Sequence, residues 1–263
     1  MSKTQSHPRA PASTTTKAAQ GARAPDAPPA GTPGPKAANA FSCADCGVVN
    51  CFTRERRYPA NCQTGIAAAD PALLDESLRH YQDPGAEDSI LAAAAIDVEG
   101  TYYGRLTRVE ETIAFAHRIG AVRIGIATCV GLMEETRVLA KILRAHGLQP
   151  HAAICKAGSV DKCEIGVPDS RKVRPGHFEP LCNPILQARL LARAGTQLNV
   201  IVGLCVGHDT LFIKYSEAPV TCLVVKDRVT GHNPAAPLHC VNFYYKRLLS
   251  PAPDALRPKP GES

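Results

Sequence analysis

Eleven cysteines in 263 residues are the groups in this chain best suited to chemistry. Four of them, Cys43, Cys46, Cys51 and Cys62, follow the spacing C-x2-C-x4-C-x10-C. A close pair supplies two sulfurs from one tight turn, which Gly47 eases, and two later thiols can close a tetrahedron. Four thiolates suit either Zn2+ or an iron–sulfur [4Fe-4S] cluster. A zinc ribbon normally carries two C-x-x-C halves, and the second is missing here, which favours iron–sulfur. Arg54, Arg56 and Arg57 could offset the negative charge of such a site, or could form a solvated basic turn. A metal that only ties the segment down is the competing reading.

A second set of thiols follows. Cys129, Cys155 and Cys205 each close a strand-like run, "AVRIGIATC", "QPHAAIC" and "LNVIVGLC". Cys182 immediately precedes the helical pattern "NPILQARLLARAG", and Cys163 lies in the aperiodic stretch 156–181. Ligands of open parallel sheets bind outside the C-terminal ends of the strands, so five thiols could share one rim. Cysteine also behaves as a small hydrophobe, which makes burial the competing reading for each of them singly. Three successive strand ends carrying cysteine favour a functional rim, because Val or Ala would fill the same space.

The neighbouring residues bear on that choice. After Cys129 a glycine turn leads into a helix whose positive end would favour a thiolate. His208 follows Cys205 as a candidate ligand or proton carrier, with Asp209 either orienting it or capping the next helix. Asp227, Arg228, His232 and Asn233 would reach the same rim, although Gly231 and Pro234 also make an ordinary turn. Cys222 and Cys240 are expected in core or surface positions. The rim could hold a second metal or act as a redox or thiol-reactive centre on a small-molecule or metal ligand.

The elements that must position these groups can be read from periodicity. "DPALLDESLRHY" predicts a helix with Asp70 as N-cap and Pro71 first inside it. "EDSILAAAAIDVEG" and "TRVEETIAFAHRIG" predict two more, closing on Gly100 and Gly120. From residue 121 short β-branched runs alternate with helical patterns: "LMEETRVLAKILRAHG", "NPILQARLLARAG" and "DTLFIKYSE" separate four strands, the last "PVTCLVVKD". That alternation implies an α/β fold, a mostly parallel sheet with helices on both faces. The expected organisation is a disordered Pro/Ala-rich tail over 1–40, a four-cysteine metal-binding segment over 41–66, the α/β domain over 67–250 and a flexible C-terminus over 251–263.

Composition narrows the class of protein. Of the net charge of +6, the first forty residues hold +4, leaving no basic patch on the remainder. With no Trp and few aromatics, nucleic-acid binding lacks both its electrostatic and its stacking surfaces. No apolar run is long enough to cross a membrane, and the basic N-terminus leads into no hydrophobic segment, so the expected location is cytoplasmic. In a reducing compartment an odd number of cysteines argues against a disulfide framework. Phosphate-binding G-x-x-x-x-G-K-[ST], dinucleotide G-x-G-x-x-G and hydrolase G-x-S-x-G motifs are absent.

"CADCGVVNC", "GLCVGHDTLFIKYSEAPVT" and "VKDRVTGHNP" resemble an uncharacterised cysteine-rich family of bacteria and archaea labelled only as metal-binding proteins. The resemblance covers roughly residues 41–248 and leaves out the Pro/Ala-rich tail. It implies metal binding through Cys43, Cys46 and Cys51, with Cys62 and the rim cysteines as further candidates, and implies no reaction. The leading expectation is a metalloprotein of redox or thiol type, with a redox protein as a possible partner. The alternatives are a soft-metal handling protein without turnover and a zinc-stabilised interaction module.

Overall fold

The computed structural model describes residues 42–55, 57–59 and 62–250. The expected tail over 1–40, the C-terminus over 251–263 and Arg56 lie outside the described residues. The chain divides into two compact units, one ending at Asp75 and one beginning at Glu76.

In the first unit a single 3-10 turn at Cys43–Asp45 precedes the short helices α1 (Asn50–Thr53) and α2 (Gln63–Ala69). Helix α3 (Pro71–Gln82) begins in this unit and continues into the second. Its start is as expected: Pro71 opens the helix, and the Asp70 carboxylate accepts the Leu73 amide at 3.3 Å.

The second unit opens with α4 (Glu87–Tyr102) and α5 (Arg108–Arg118). Helix α5 starts in a capping box: the Glu110 amide donates to the Thr107 hydroxyl at 3.4 Å, and the Thr107 amide donates to the Glu110 carboxylate at 2.8 Å. Helix α4 departs from its expected end. It passes through Gly100 and stops at Tyr102, because the left-handed turn comes later, at Gly104 (φ +67°).

Strands and helices then alternate as β1 (Arg123–Thr128), α6 (Met133–Ala145), β2 (Gln149–Ile154), α7 (Pro184–Arg193), β3 (Leu198–Val202), α8 (His208–Tyr215) and β4 (Val220–Val224); a short α9 (Ala236–His239) follows. The four strands form one all-parallel sheet in the order β2-β1-β3-β4. Helix α6 buries Thr136, Leu139, Ala140 and Leu143, and α7 buries Pro184, Gln187, Ala188 and Leu191. Each set is the one-sided stripe of an amphipathic helix laid on a sheet.

Both faces of the sheet are covered, and β1 shows how. Thr128 meets the Thr136 hydroxyl of α6 at 2.7 Å, whereas a Cβ on Gly125 would run into Leu191 of α7. Positions three apart on a strand point to opposite faces, so α6 and α7 lie on opposite sides. The chain leaves β1 toward β2 at one edge and leaves β3 toward β4 at the other. The adjacent strands β1 and β3 therefore flank the switch point of the sheet. No helix among the described residues is long and apolar enough to cross a membrane.

Candidate functional site

At the C-terminal ends of the strands three thiols meet. Cys129 directly follows β1, Cys155 directly follows β2, and Cys182 lies two residues before α7. Backbone hydrogen bonds hold them in place: the Cys155 amide donates to Thr128 O at 2.8 Å, and the Asn183 amide donates to Cys155 O at 2.7 Å. Asn183 also caps α7, accepting the Leu186 amide at 2.9 Å. Beneath the strand ends, buried Gln187 donates its Nε2 to the carbonyls of Thr128 at 3.1 Å and Ala153 at 2.6 Å.

Cys155 is the middle sulfur. Its thiol is in hydrogen-bonding contact with both Cys129 and Cys182, and its Sγ accepts the Val130 amide at 3.4 Å. Bonding to those two neighbours, together with burial, raises its pKa far above the ordinary thiol value. The outer thiols move the opposite way. Cys129 is lowered first by the Cys155 hydrogen bond, against its own desolvation, and then by the Gly131 amide and the charges of Lys226 and Arg228. Cys182 is lowered first by Cys155 and then by Lys156 and His208. The arrangement is one proton-bearing sulfur between two thiolate-prone ones.

The cations come from three loops. Lys156 follows Cys155 and donates to Pro180 O at 2.5 Å. Lys226, just beyond β4, brings its Nζ to 3.2 Å from the space a Cβ on Gly131 would take. Arg228 donates to the Cys205 sulfur at 3.0 Å, and that contact raises the guanidinium pKa, with Cys129 and Cys182 adding to the effect. Lys156 and Lys226 were not singled out from the sequence. Each lies within two residues of a strand's C-terminal end, so the rule that located the cysteines would have found them too.

The remaining expected site residues fall as follows. Cys205 follows β3 on the far side of the switch point, half-buried, and is held by Arg228. His208 is the first residue of α8, with its amide on Cys205 O at 2.9 Å. Asp209 is not the cap of α8; Gly207 is, and Asp209 turns its carboxylate to the Thr210 amide at 2.8 Å. Asp227 and His232 make the ordinary turn, with Asp227 Oδ1 accepting the amides of Val229 and Thr230 and the Asp227 amide donating to His232 Nδ1.

Cys163 stands apart from the three thiols. It is exposed on a 3-10 turn (Lys162–Ile165) capped by Asp161, whose carboxylate accepts the Cys163 amide at 2.8 Å. Its loop folds around Lys172, a nearly buried ammonium paired with Asp161 at 2.9 Å and Asp169 at 3.0 Å and donating to His177 O at 2.9 Å. Cys222 is exposed on β4, and Cys240 is half-buried after α9.

In the first unit, Cys43 and Cys51 are exposed, Cys46 is half-buried and Cys62 is buried. The Val49 amide donates to Cys46 Sγ at 3.4 Å, with Val49 in a left-handed turn at φ +45°. The amides of Gly65 and Thr64 lower the Cys62 thiol pKa. Arg57 pairs with Glu55 at 3.1 Å, both side chains exposed. Among the described residues, no group of three or more His, Cys, Asp or Glu side chains is arranged to hold a metal ion, the three thiols at the strand ends included.

Residues 66–223 match a family described as "Protein of unknown function (DUF1847)". The chain belongs to this family. Its matched span contains β1 through most of β4, and with them Cys129, Cys155, Cys182, Cys205 and His208; Arg228 and Lys226 follow just after it. The chain is also similar to "Uncharacterized protein MJ0455" of Methanocaldococcus jannaschii, 39% identical over 209 residues that cover 80% of this chain and 98% of the relative. No solved structure matches the chain.

Proposed function

We propose that this member of the family is a cysteine-based metal-binding protein whose α/β unit carries a separate thiol centre for redox chemistry on a small ligand. The observation that carries the second part is the contact of Cys155 with both Cys129 and Cys182 inside a set of cations. Packing alone needs neither a shared proton nor Lys156, Lys226 and Arg228 around it. The position supports the same reading, because the group lies at the C-terminal ends of the strands, where open α/β sheets take their ligands, with Cys129 following β1 beside the switch point.

For the metal, the donor set fits in kind. Cys43, Cys46, Cys51 and Cys62 are all sulfur, and at Cys62 the amides of Gly65 and Thr64 favour the thiolate, the form that ligates. These four residues would hold Zn2+ or an iron–sulfur cluster. Zinc would stabilise the segment, and a cluster would supply one-electron chemistry.

Elemental analysis and visible absorption of protein purified without oxygen test the first part. Iron with sulfide and a brown colour, or zinc alone, is expected in wild type, with loss of the metal in Cys46→Ser. Metal-free wild type overturns it. Thiol titration tests the second part: Cys129→Ser and Cys205→Ser should each change the number of fast-reacting thiols in the native protein. If neither does, the rim cysteines are core filler and the protein is a metal-stabilised interaction module.

A further inference from the structure

The three-thiol contact divides its labour by access. Cys129 and Cys155 are only 6% and 2% exposed, while Cys182 is half-buried at the surface end of the group. An incoming molecule therefore meets Cys182 first, with Cys155, the most buried of the three, in contact with it. The Asn183-to-Cys155 hydrogen bond at 2.7 Å ties the segment carrying Cys182 to the end of β2. The leading charges acting on the outer thiols are Lys226 and Arg228 at Cys129, and Lys156 and His208 at Cys182. Arg228 is itself exposed, so a negatively charged ligand can reach it.

We propose that the rim is a three-thiol relay that reduces small, negatively charged disulfides, with Cys182 as the attacking sulfur, Cys155 as the resolving sulfur and Cys129 as the acceptor of the Cys155 proton. This rests on the thiol centre proposed above and names its substrate class. In the first step the Cys182 thiolate attacks one sulfur of R–S–S–R. The substrate S–S bond breaks, one R–S⁻ departs, and a mixed disulfide remains on Cys182. In the second step Cys155 passes its proton to the Cys129 thiolate, and its sulfur attacks that of Cys182. The second R–S⁻ departs and a Cys155–Cys182 disulfide forms. Two electrons have moved from two cysteines to the substrate, and both departing thiolates take protons from water. This half-reaction consumes nothing else, and a dithiol restores the pair by the reverse exchange.

The test uses the full chain, reduced and desalted without oxygen, then mixed with glutathione disulfide and followed by peptide mass mapping. Wild type should release two thiols per chain and end with a Cys155–Cys182 disulfide. Cys155→Ser should stop with glutathione on Cys182, and Cys129→Ser should hold the same mixed disulfide while resolution slows by about tenfold. The neutral 2-hydroxyethyl disulfide and the cationic cystamine should react about tenfold more slowly than glutathione disulfide in wild type, a gap that Arg228→Ala narrows.

A rim disulfide forming at the wild-type rate in Cys182→Ser overturns the relay. So does glutathione in Cys155→Ser collecting on Cys163 or Cys205 instead of Cys182. If buried Cys155→Ser does not fold, Cys182→Ser at the half-exposed position decides, with thermal melting to confirm its fold. Iodoacetamide labelling separates two failures. Rim thiols that alkylate quickly but never exchange with disulfides remove the relay and leave the thiol centre, whereas rim thiols inert to both reagents remove both.

Discussion

The guanidinium of Arg228 donates to the sulfur of Cys205 at 3.0 Å and so joins the loop after β4 to the loop after β3 across the end of the sheet. The same charge also favours the Cys129 thiolate. Replacing Arg228 with Ala at this exposed position should leave the melting temperature nearly unchanged. The pH midpoint for alkylation of Cys129 should rise. An unchanged midpoint would show that the guanidinium does not act on the thiols.

Cys129 and Cys182 are lowered below the ordinary thiol value, chiefly by the Cys155 hydrogen bond. Their alkylation in native protein should therefore persist at about pH 6, where cysteines of an unfolded chain, with a pKa of ~8.5, are almost entirely protonated. In Cys155→Ala the shared hydrogen bond is gone, and both profiles should shift to higher pH. Mapping alkylated peptides across a pH series measures this directly.

Lys172 organises the 156–181 loop through Asp161 and Asp169. The pKa of Asp161 is depressed, first by the Cys163 amide and then by Lys172. A depressed carboxylate stabilises the fold at pH above its unfolded value and loses that contribution as the pH falls. Hydrogen-exchange protection of the loop should thus be full at neutral pH and fall once the pH drops below about 4. Lys172→Met should lower the protection at neutral pH as well, leaving the exchange of β1 and β3 unchanged.

Gly203 follows β3 with φ +71°, and a Cβ there would lie 2.6 Å from Leu132, which is 1% exposed and has nowhere to move. Gly203→Ala should cost about 1–3 kcal/mol by thermal or denaturant unfolding. Leu132→Ala alone should cost about 2–5 kcal/mol as a buried truncation, and the steric part of the Gly203 loss should appear as the coupling energy of the double-mutant cycle. If Gly203→Ala is as stable as wild type, the two loops do not approach as closely as described.

Gln187 spans β1 and β2 beneath the thiols, while its Oε1 is buried without a hydrogen-bond partner. Gln187→Leu removes that orphan together with both Nε2 hydrogen bonds, while Thr128 O keeps the Cys155 amide, so a loss of about 1 kcal/mol is expected. The alkylation rates of Cys129 and Cys155 should change together, because both strand ends rest on this side chain. Unfolding curves and peptide mapping read the two effects.

Most of what places the thiols is local, and local patterns survive in a sequence. Parallel strands separated by amphipathic helices bring every strand end to one rim, so Cys129, Cys155 and Cys205 could be assigned to it from periodicity alone. The same logic placed Cys182 at the start of α7. It failed for Cys163, whose loop has no period and is shaped by ion pairs and hydrogen bonds between residues up to eighteen positions apart, Asp161 with Lys172 and with the Glu179 amide among them. It also failed at Gly100, since a glycine inside an alanine-rich helix need not end it, and at Asp209, because Gly207 supplies the turn that caps α8.

The amino-acid sequence by itself determined the α/β class, the element boundaries within a few residues, and the presence of cysteine at three strand ends and ahead of one helix. These follow from side-chain periodicity and capping, which act within a few residues along the chain. Only the tertiary structure decided the strand order β2-β1-β3-β4. That order sets β2 beside β1 and separates β2 from β3, so Cys155 touches Cys129 while Cys205 turns to Arg228. Contacts between strand ends depend on which edge each crossover chooses, and no single segment of the sequence carries that choice.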